Sequence, residues 1–284
     1  MEGFFVFIDA PKPGADPQSL ATALAIDAYR ARMLGVSGAP FLARGFSTRG
    51  AAARAAATLD AAGFPSTAHD GASLDAVPAP LEAESFSTTA TTVIFAIAGG
   101  ERAAIEPASV RSLVLGKIQV KILGATSAPS RPRAFRGGFA GIAAAALELS
   151  DPASQTERAL TYQRLEIFAD ANGRPIRIGI RQDRFDFAQL HARKTLSSAR
   201  NLEILKDALA HASEGAAVDL AFHRSEMSRG ALAADVWIDF DLGAGSPREV
   251  AARSNREAFD VYARARHLHE TARRRAAQDH YYEF

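Results

Sequence analysis

In the segment "ADVWIDFDL", Asp235, Asp239 and Asp241 share the parity of one strand face, and three carboxylates on one face suggest a seat for a hard divalent cation. Such a site would support metal-dependent hydrolysis or group transfer, with His223 as a further candidate. Strand geometry weighs against it. Residues two apart on one face stand about 7 Å from each other, too far to share one ion unless a loop helps. A solvated outer face is the stronger reading, and Trp237 on that face marks a covered or partner-binding surface. The seven histidines are scattered. Only His267 and His269 are close, and a helix turns residues at that spacing apart, whereas zinc-binding pairs stand at i, i+4. There is no cysteine, so thiolate nucleophiles, disulfides and cysteine metal sites are excluded. No HExxH, GxSxG or P-loop signature occurs, and no catalytic residue, metal or cofactor is expected.

Two arginine-rich stretches could hold anions. The first, "DAYRARMLGVSGAPFLARGFS", places Arg30, Arg32 and Arg44 around Gly35 and Gly38. The glycines read as helix stop and turn, and the strand-glycine-helix order that cradles phosphate is missing. The arginines are therefore expected on the outside of a helix and a strand. The second, "PSRPRAFRGGF", mixes Arg131, Arg133 and Arg136 with Phe135 and Phe139, the charge-plus-stacking composition of single-stranded nucleic-acid binders. It occurs once, so a flexible loop is the stronger reading and nucleic-acid binding the alternative.

The whole chain adds no electrostatic pull towards nucleic acid or an anionic membrane: 33 basic and 32 acidic residues leave a formal charge of +1. Its 284 residues, 48% hydrophobic, suffice for two domains with real cores. The N-terminus "MEGFFVFID" lacks the basic start of a signal peptide, and no apolar run is long enough to span a bilayer. A cytoplasmic protein is expected.

The elements that must position these residues follow from patterning. Phe4 to Ile8 reads as a buried strand, and Asp16-Pro17 as a capped helix start with Leu20 and Leu24 inward. Gly35 is expected to stop the second helix. "APFLARGFS" is a strand, and Ser47 or Thr48 caps a helix running to Gly63. Residues 1–70 thus form a small α+β module, and 71–83 a linker. Residues 84–243 are expected to form a β-rich, barrel- or sandwich-like domain with a closing helix and a mobile insertion near 124–156.

The strongest local signal is "RLEIFADANGRPIRIGI". Asn172-Gly173 is a type I′ turn pair, which sets Ala169 against Ile176, Ile167 against Ile178 and Leu165 against Ile180 on one apolar face. Glu166, Phe168, Asp170, Arg177 and Arg181 take the other face. Leu202, Leu205 and Leu209 form one helical stripe behind a Ser197 or Ser198 cap. Residues 244–284 read as a charged helical tail that opens on the capping box Ser246/Glu249 and frays at Tyr281, Tyr282 and Phe284. That aromatic, acidic end is a candidate partner element, and the helix a candidate contact between copies of the chain.

The pieces "FFVFID", "SLATALAIDAYRARML", "SGAPFLARGFS" and "GAAARAAATLDAAGF" resemble, in order, the C-terminal domain of the bacterial ribosomal stalk protein and the related protease adaptor that recognises N-degrons. The resemblance covers Phe4 to His69. It implies the same α+β fold and a protein-binding role for the helix that holds Arg30 and Arg32, although "LAIDAY" stands where the stalk family has glycines. Of the adaptor's degron-binding residues only Asp9 has a counterpart, so degron binding is not implied. Ser85 to His211 resembles, in element order alone, a pleckstrin-homology-type barrel. The function expected is a non-enzymatic adaptor or scaffold that binds a protein or peptide, through Arg30, Arg32, Arg44, Trp237, Tyr281, Tyr282 and Phe284, without a membrane partner.

Overall fold

The computed structural model describes residues 3–38, 40–122, 158–171, 173–225, 234–240 and 248–282. The chain opens on strand β1 (Phe4–Ile8), buried along nearly its whole length. Helix α1 (Pro17–Leu24) starts where Asp16 accepts a hydrogen bond from the Gln18 N–H, with Pro17 in the first turn. Ala25 in the left-handed region ends it, and Asp27 caps a separate helix, α2 (Ala28–Ser37). Gly35 does not stop that helix. Gly38 does, at φ +57°, while Gly35 lies within the helix, where a Cβ would come 3.3 Å from the Pro17 ring. The glycine thus serves close packing of α2 on α1. Strand β2 (Phe41–Phe46), helix α3 (Arg49–Ala61) capped by Thr48, and strand β3 (Ser66–Asp70) complete the module. The sheet order is β2-β1-β3, antiparallel throughout. Val6 and Ile8 pack into a core with Leu20, Leu34, Leu59 and Phe64. Phe5 and Phe7, on the opposite face of β1, are equally buried.

The expected linker is partly regular structure. It holds a short helix, α4 (Gly71–Asp75), whose Leu74 is fully buried, and its end starts strand β4 (Leu81–Thr88). Strands β5 (Val93–Ile97), β6 (Arg102–Ile105), β7 (Val110–Ile122), β8 (Arg158–Ala171) and β9 (Arg174–Arg181) follow. The expected insertion, 124–156, lies outside the described residues. Helix α5 (Ser198–Ala212), strands β10 (Ala217–Asp219), β11 (Ala234–Phe240) and β12 (Arg248–Ser254), and helix α6 (Arg256–Tyr282) end the chain.

The chain divides into two compact units. In the smaller, residues 119–161 and 232–254, β11 pairs antiparallel with β12, and β12 with the end of β7. The larger holds everything else, including the N-terminal module and α6. Its second sheet runs β6-β5-β4-β9-β8-β7, with β10 parallel to β7. The fold is α+β, and the sheets are open rather than closed into a barrel.

The β8–β9 hairpin has the expected register: Ala169 faces Ile176, Ile167 faces Ile178 and Leu165 faces Ile180. Those side chains share one core with Phe95, Ile105, Leu113 and the α5 leucines Leu202, Leu205 and Leu209. Ser197 caps α5 by accepting from the Arg200 N–H.

The C-terminal segment departs most from expectation. Glu249 belongs to strand β12, not to a capping box, and the helix begins only at Arg256. It is not a solvated tail, since Phe259, Tyr262, Ala263, Ala265 and His269 are buried completely or nearly so. Gly116 on β7 makes this approach possible: a Cβ there would lie 2.3 Å from the Phe259 ring. Arginines at 264, 266 and 274 disguise the apolar stripe in the sequence, yet Arg264 and Arg266 fold inward onto carboxylates.

Candidate functional site

Helix α2 presents two apolar faces. Ala31 and Leu34 turn into the module core, whereas Tyr29, Met33 and Val36 are 72%, 53% and 77% exposed. At about 100° per residue these three, spaced i, i+4, i+7, fall within roughly 60° of the helix circumference. Arg30 and Arg32, both exposed, flank that stripe on its two sides. Between the α1–α2 corner and β2 lies a cavity of about 540 Å³, lined by Leu24, Ile26, Leu34, Phe41, Phe46 and Arg30. The arrangement offers an apolar ridge, cationic edges and, lined in part by Arg30, a cavity of mixed polarity. That is the chemistry that receives an amphipathic segment with acidic flanks.

A second concentration of chemistry lies beneath α6. Arg266 forms ion pairs to Asp9 (2.5 Å), Asp219 (3.0 Å) and Glu270 (2.9 Å), and its guanidinium lies over the Phe7 ring. The Tyr262 hydroxyl donates to Asp219 at 3.0 Å. Thr67 Oγ1 meets His269 Nδ1 at 2.8 Å and His69 Nε2 at 2.9 Å. Burial opposes ionisation of Asp9, but the adjacent His269 ring and Arg266 charge outweigh it and hold its carboxyl far below the ordinary range. Burial lowers His69 to about 4, helped by the neighbouring His269. Burial raises Tyr262 well above its ordinary value, and Asp219 adds to the rise. Asp9, His269 and Glu270 bring three ligand atoms within 4.8 Å of one another, as a metal site would. Arg266, salt-bridged to both carboxylates, already stands where a cation would. The cluster is therefore a pre-neutralised network, suited to holding α6 against β1 and β3.

The third cluster occupies the hairpin face opposite the apolar one. Arg164 Nε bonds Glu166 at 2.5 Å, Arg177 Nε bonds the other Glu166 oxygen at 2.9 Å, and Arg177 reaches Asp260 of α6 at 2.8 Å. Glu82 takes the remaining edge of Arg164 in a two-point contact at 2.7 and 2.8 Å. Arg164, Glu166 and Arg177 are 1–2% exposed. Gly179 opens the floor for this layer, since a Cβ there would sit 2.3 Å from Arg164 Nη2. Nearby, His267 stacks on Phe168 at 4.4 Å and meets Ser112 Oγ at 3.1 Å. Burial lowers His267 to about 4, with Arg177 and Arg274 adding to it against Asp170.

The structure brings few of the sequence candidates together. Arg30 and Arg32 share α2, while Arg44 lies on β2 with its backbone opposite Phe5. Trp237 lies on β11 opposite Ala251, and Tyr281 and Tyr282 end α6. Asp235 and Asp239 stand opposite Arg253 and Glu249 in the β11–β12 ladder. Asp241, Phe284 and the candidate nucleic-acid residues Arg131, Arg133, Phe135, Arg136 and Phe139 lie outside the described residues. His223, on a separate 3-10 turn, places its Nδ1 2.9 Å from the Leu220 carbonyl. His267 and His269 do turn apart, one to the hairpin and one to β3. Sequence reasoning missed Tyr29, Met33 and Val36. Their signal was a short helix with apolar residues at two separate angular positions.

No protein-family model, curated protein or solved structure matches this chain.

Proposed function

We propose that this chain is a non-enzymatic, cytoplasmic adaptor whose N-terminal module receives an acidic, amphipathic segment of a partner protein on α2. The observation that carries the reading is the exposed stripe Tyr29, Met33 and Val36, with arginines on both flanks and a cavity of mixed polarity that Arg30 helps line. Three large apolar side chains aligned on one helix face lose contact with water only when something covers them. The arginines make a negatively flanked segment the fitting cover, by charge complementarity. The likeness of Phe4 to His69 to the stalk and adaptor families supports the same reading, because Arg30 and Arg32 fall on the helix that meets partners in the stalk family. The Asp9, Asp219 and Arg266 network supports it from another side: it joins the module to α6, as a presenting scaffold requires.

The test replaces Met33 with the photo-crosslinker p-benzoylphenylalanine in full-length chain and irradiates intact cells. Leu196, fully exposed in the loop before α5, serves as the control position. The reading expects discrete adducts at Met33 that are absent at Leu196, map to acidic amphipathic segments, and fall by about tenfold in an Arg30→Glu/Arg32→Glu background. Adducts that are the same at both positions, or indifferent to the charge reversal, would overturn it.

A further inference from the structure

On the β-rich side of the larger unit, a cavity of about 530 Å³ opens between the β4–β5 turn, the 3-10 segment Ala188–Arg193 and the last turns of α5. Its floor is core: Phe86, Val93, Leu190, Leu205 and Leu209 are all buried and all line it. The turn at its edge is hydroxyl-bearing, and Thr89 is held in place by accepting from the Thr92 N–H at 3.1 Å. At the other edge stand His191 and Arg193, both exposed, and the lining holds no aspartate or glutamate. The size is within the range of small-ligand sites, which are mostly apolar with a few convergent polar groups.

His191 supplies an independent observation. Its backbone sits at φ +47°, ψ −122°, a conformation that L residues rarely adopt, between two helical turns that it kinks apart. Strain of this kind persists only where the surroundings over-determine it, and it gathers at ligand clamps. Here the strained residue places an imidazole beside Arg193 at the mouth of an apolar cavity.

We propose that this cavity binds a small amphipathic carboxylate, its apolar body on the Phe86/Leu205/Leu209 floor and its headgroup between His191 and Arg193. An apolar body matches the floor by removing its surface from water. A carboxylate matches the mouth because an arginine fork engages two oxygens at once and an imidazole N–H can donate to one of them. A cationic headgroup would meet Arg193 without a compensating acid in the lining. This site is separate from the α2 face, and neither proposal rests on the other.

The test titrates full-length protein with decanoate, decanol and decylamine in a calorimeter, below the concentrations at which they self-associate. Decanoate is expected to bind saturably, about tenfold or more tighter than decanol, the advantage expected of a charge-assisted contact. Decylamine is expected to bind weakest. Arg193→Gln with His191→Gln should equalise decanoate and decanol while keeping decanol affinity. Ala208→Trp, which fills the cavity, should abolish binding of both; Thr89→Trp at the rim provides a second block should the first variant melt early. The proposal fails if decanoate shows no saturable binding, if decanol binds equally to the native protein, or if both blocking variants bind as the native chain does.

Discussion

The two faces of the β8–β9 hairpin are built from alternate positions of the same two strands and are both buried near their centres, yet they are held by different physics. One face, with Leu165, Ile167 and Ile180, is all aliphatic and is sealed by the α5 leucines. The other carries Arg164, Glu166, Phe168 and Arg177 and is sealed by α6, which brings Asp260 and His267 to meet them. The aliphatic face needs only area and shape. The charged face needs every partner present, because each ion there has lost its water and has only its neighbours in exchange. Hence the aliphatic face should tolerate graded damage and the charged face should not.

The largest effect should come from Glu166→Ala. It strips the buried Nε groups of Arg164 and Arg177 of the carboxylate they share, leaving only Glu82 and Asp260 on their other edges, and a loss of roughly 3–5 kcal/mol in urea unfolding is expected. A loss under 1 kcal/mol would mean that water enters the layer and the two faces are alike. Leu205→Ala on the aliphatic side should cost about 2–4 kcal/mol, with Leu205→Met nearly neutral in the same assay.

Acid should separate the faces further. His267, lowered by burial to about 4 from its ordinary 6.5, is neutral in the folded chain at pH 7. Its contribution to stability is complete above pH 6.5 and is lost as pH falls towards 4, because the unfolded chain takes up the proton first. At pH 4 this amounts to about 3 kcal/mol at most, and His267→Gln should flatten the unfolding free energy between pH 6.5 and 4 by that order. An unchanged slope would place the titration elsewhere. The smallest effect is expected from Arg200→Ala, which removes an exposed pair with Glu203 on α5 and should shift stability by less than about 0.5 kcal/mol.

The hairpin register was legible from Asn172-Gly173 and the alternation around it, and so were the α5 stripe, the Asp16-Pro17 start and the Thr48 cap. Each of these depends on residues within a few positions of one another, so the local pattern carries the whole argument. The α2 face was half legible: Arg30 and Arg32 stood out, but the exposure of Tyr29, Met33 and Val36 depends on which of two apolar sides the module core claims. The fate of α6 was not legible. Its helical stretch was clear, but Ser246, Pro247 and Glu249 imitate a helix start seven residues or more too early, and its burial rests on contacts 150 to 260 positions away in sequence, such as Ser112 with His267 and Asp9 with Arg266.

By itself the sequence determined the alternation of the strands, the stripes of the helices and the turns and caps between most of them, because backbone geometry converts spacing directly into direction. Only the tertiary structure decided that the charged face of the hairpin is interior. Burial of an ion is set by whether opposite charges arrive from distant segments to replace its water, and Asp260 and Glu82 reach Arg177 and Arg164 only once the chain has folded around them.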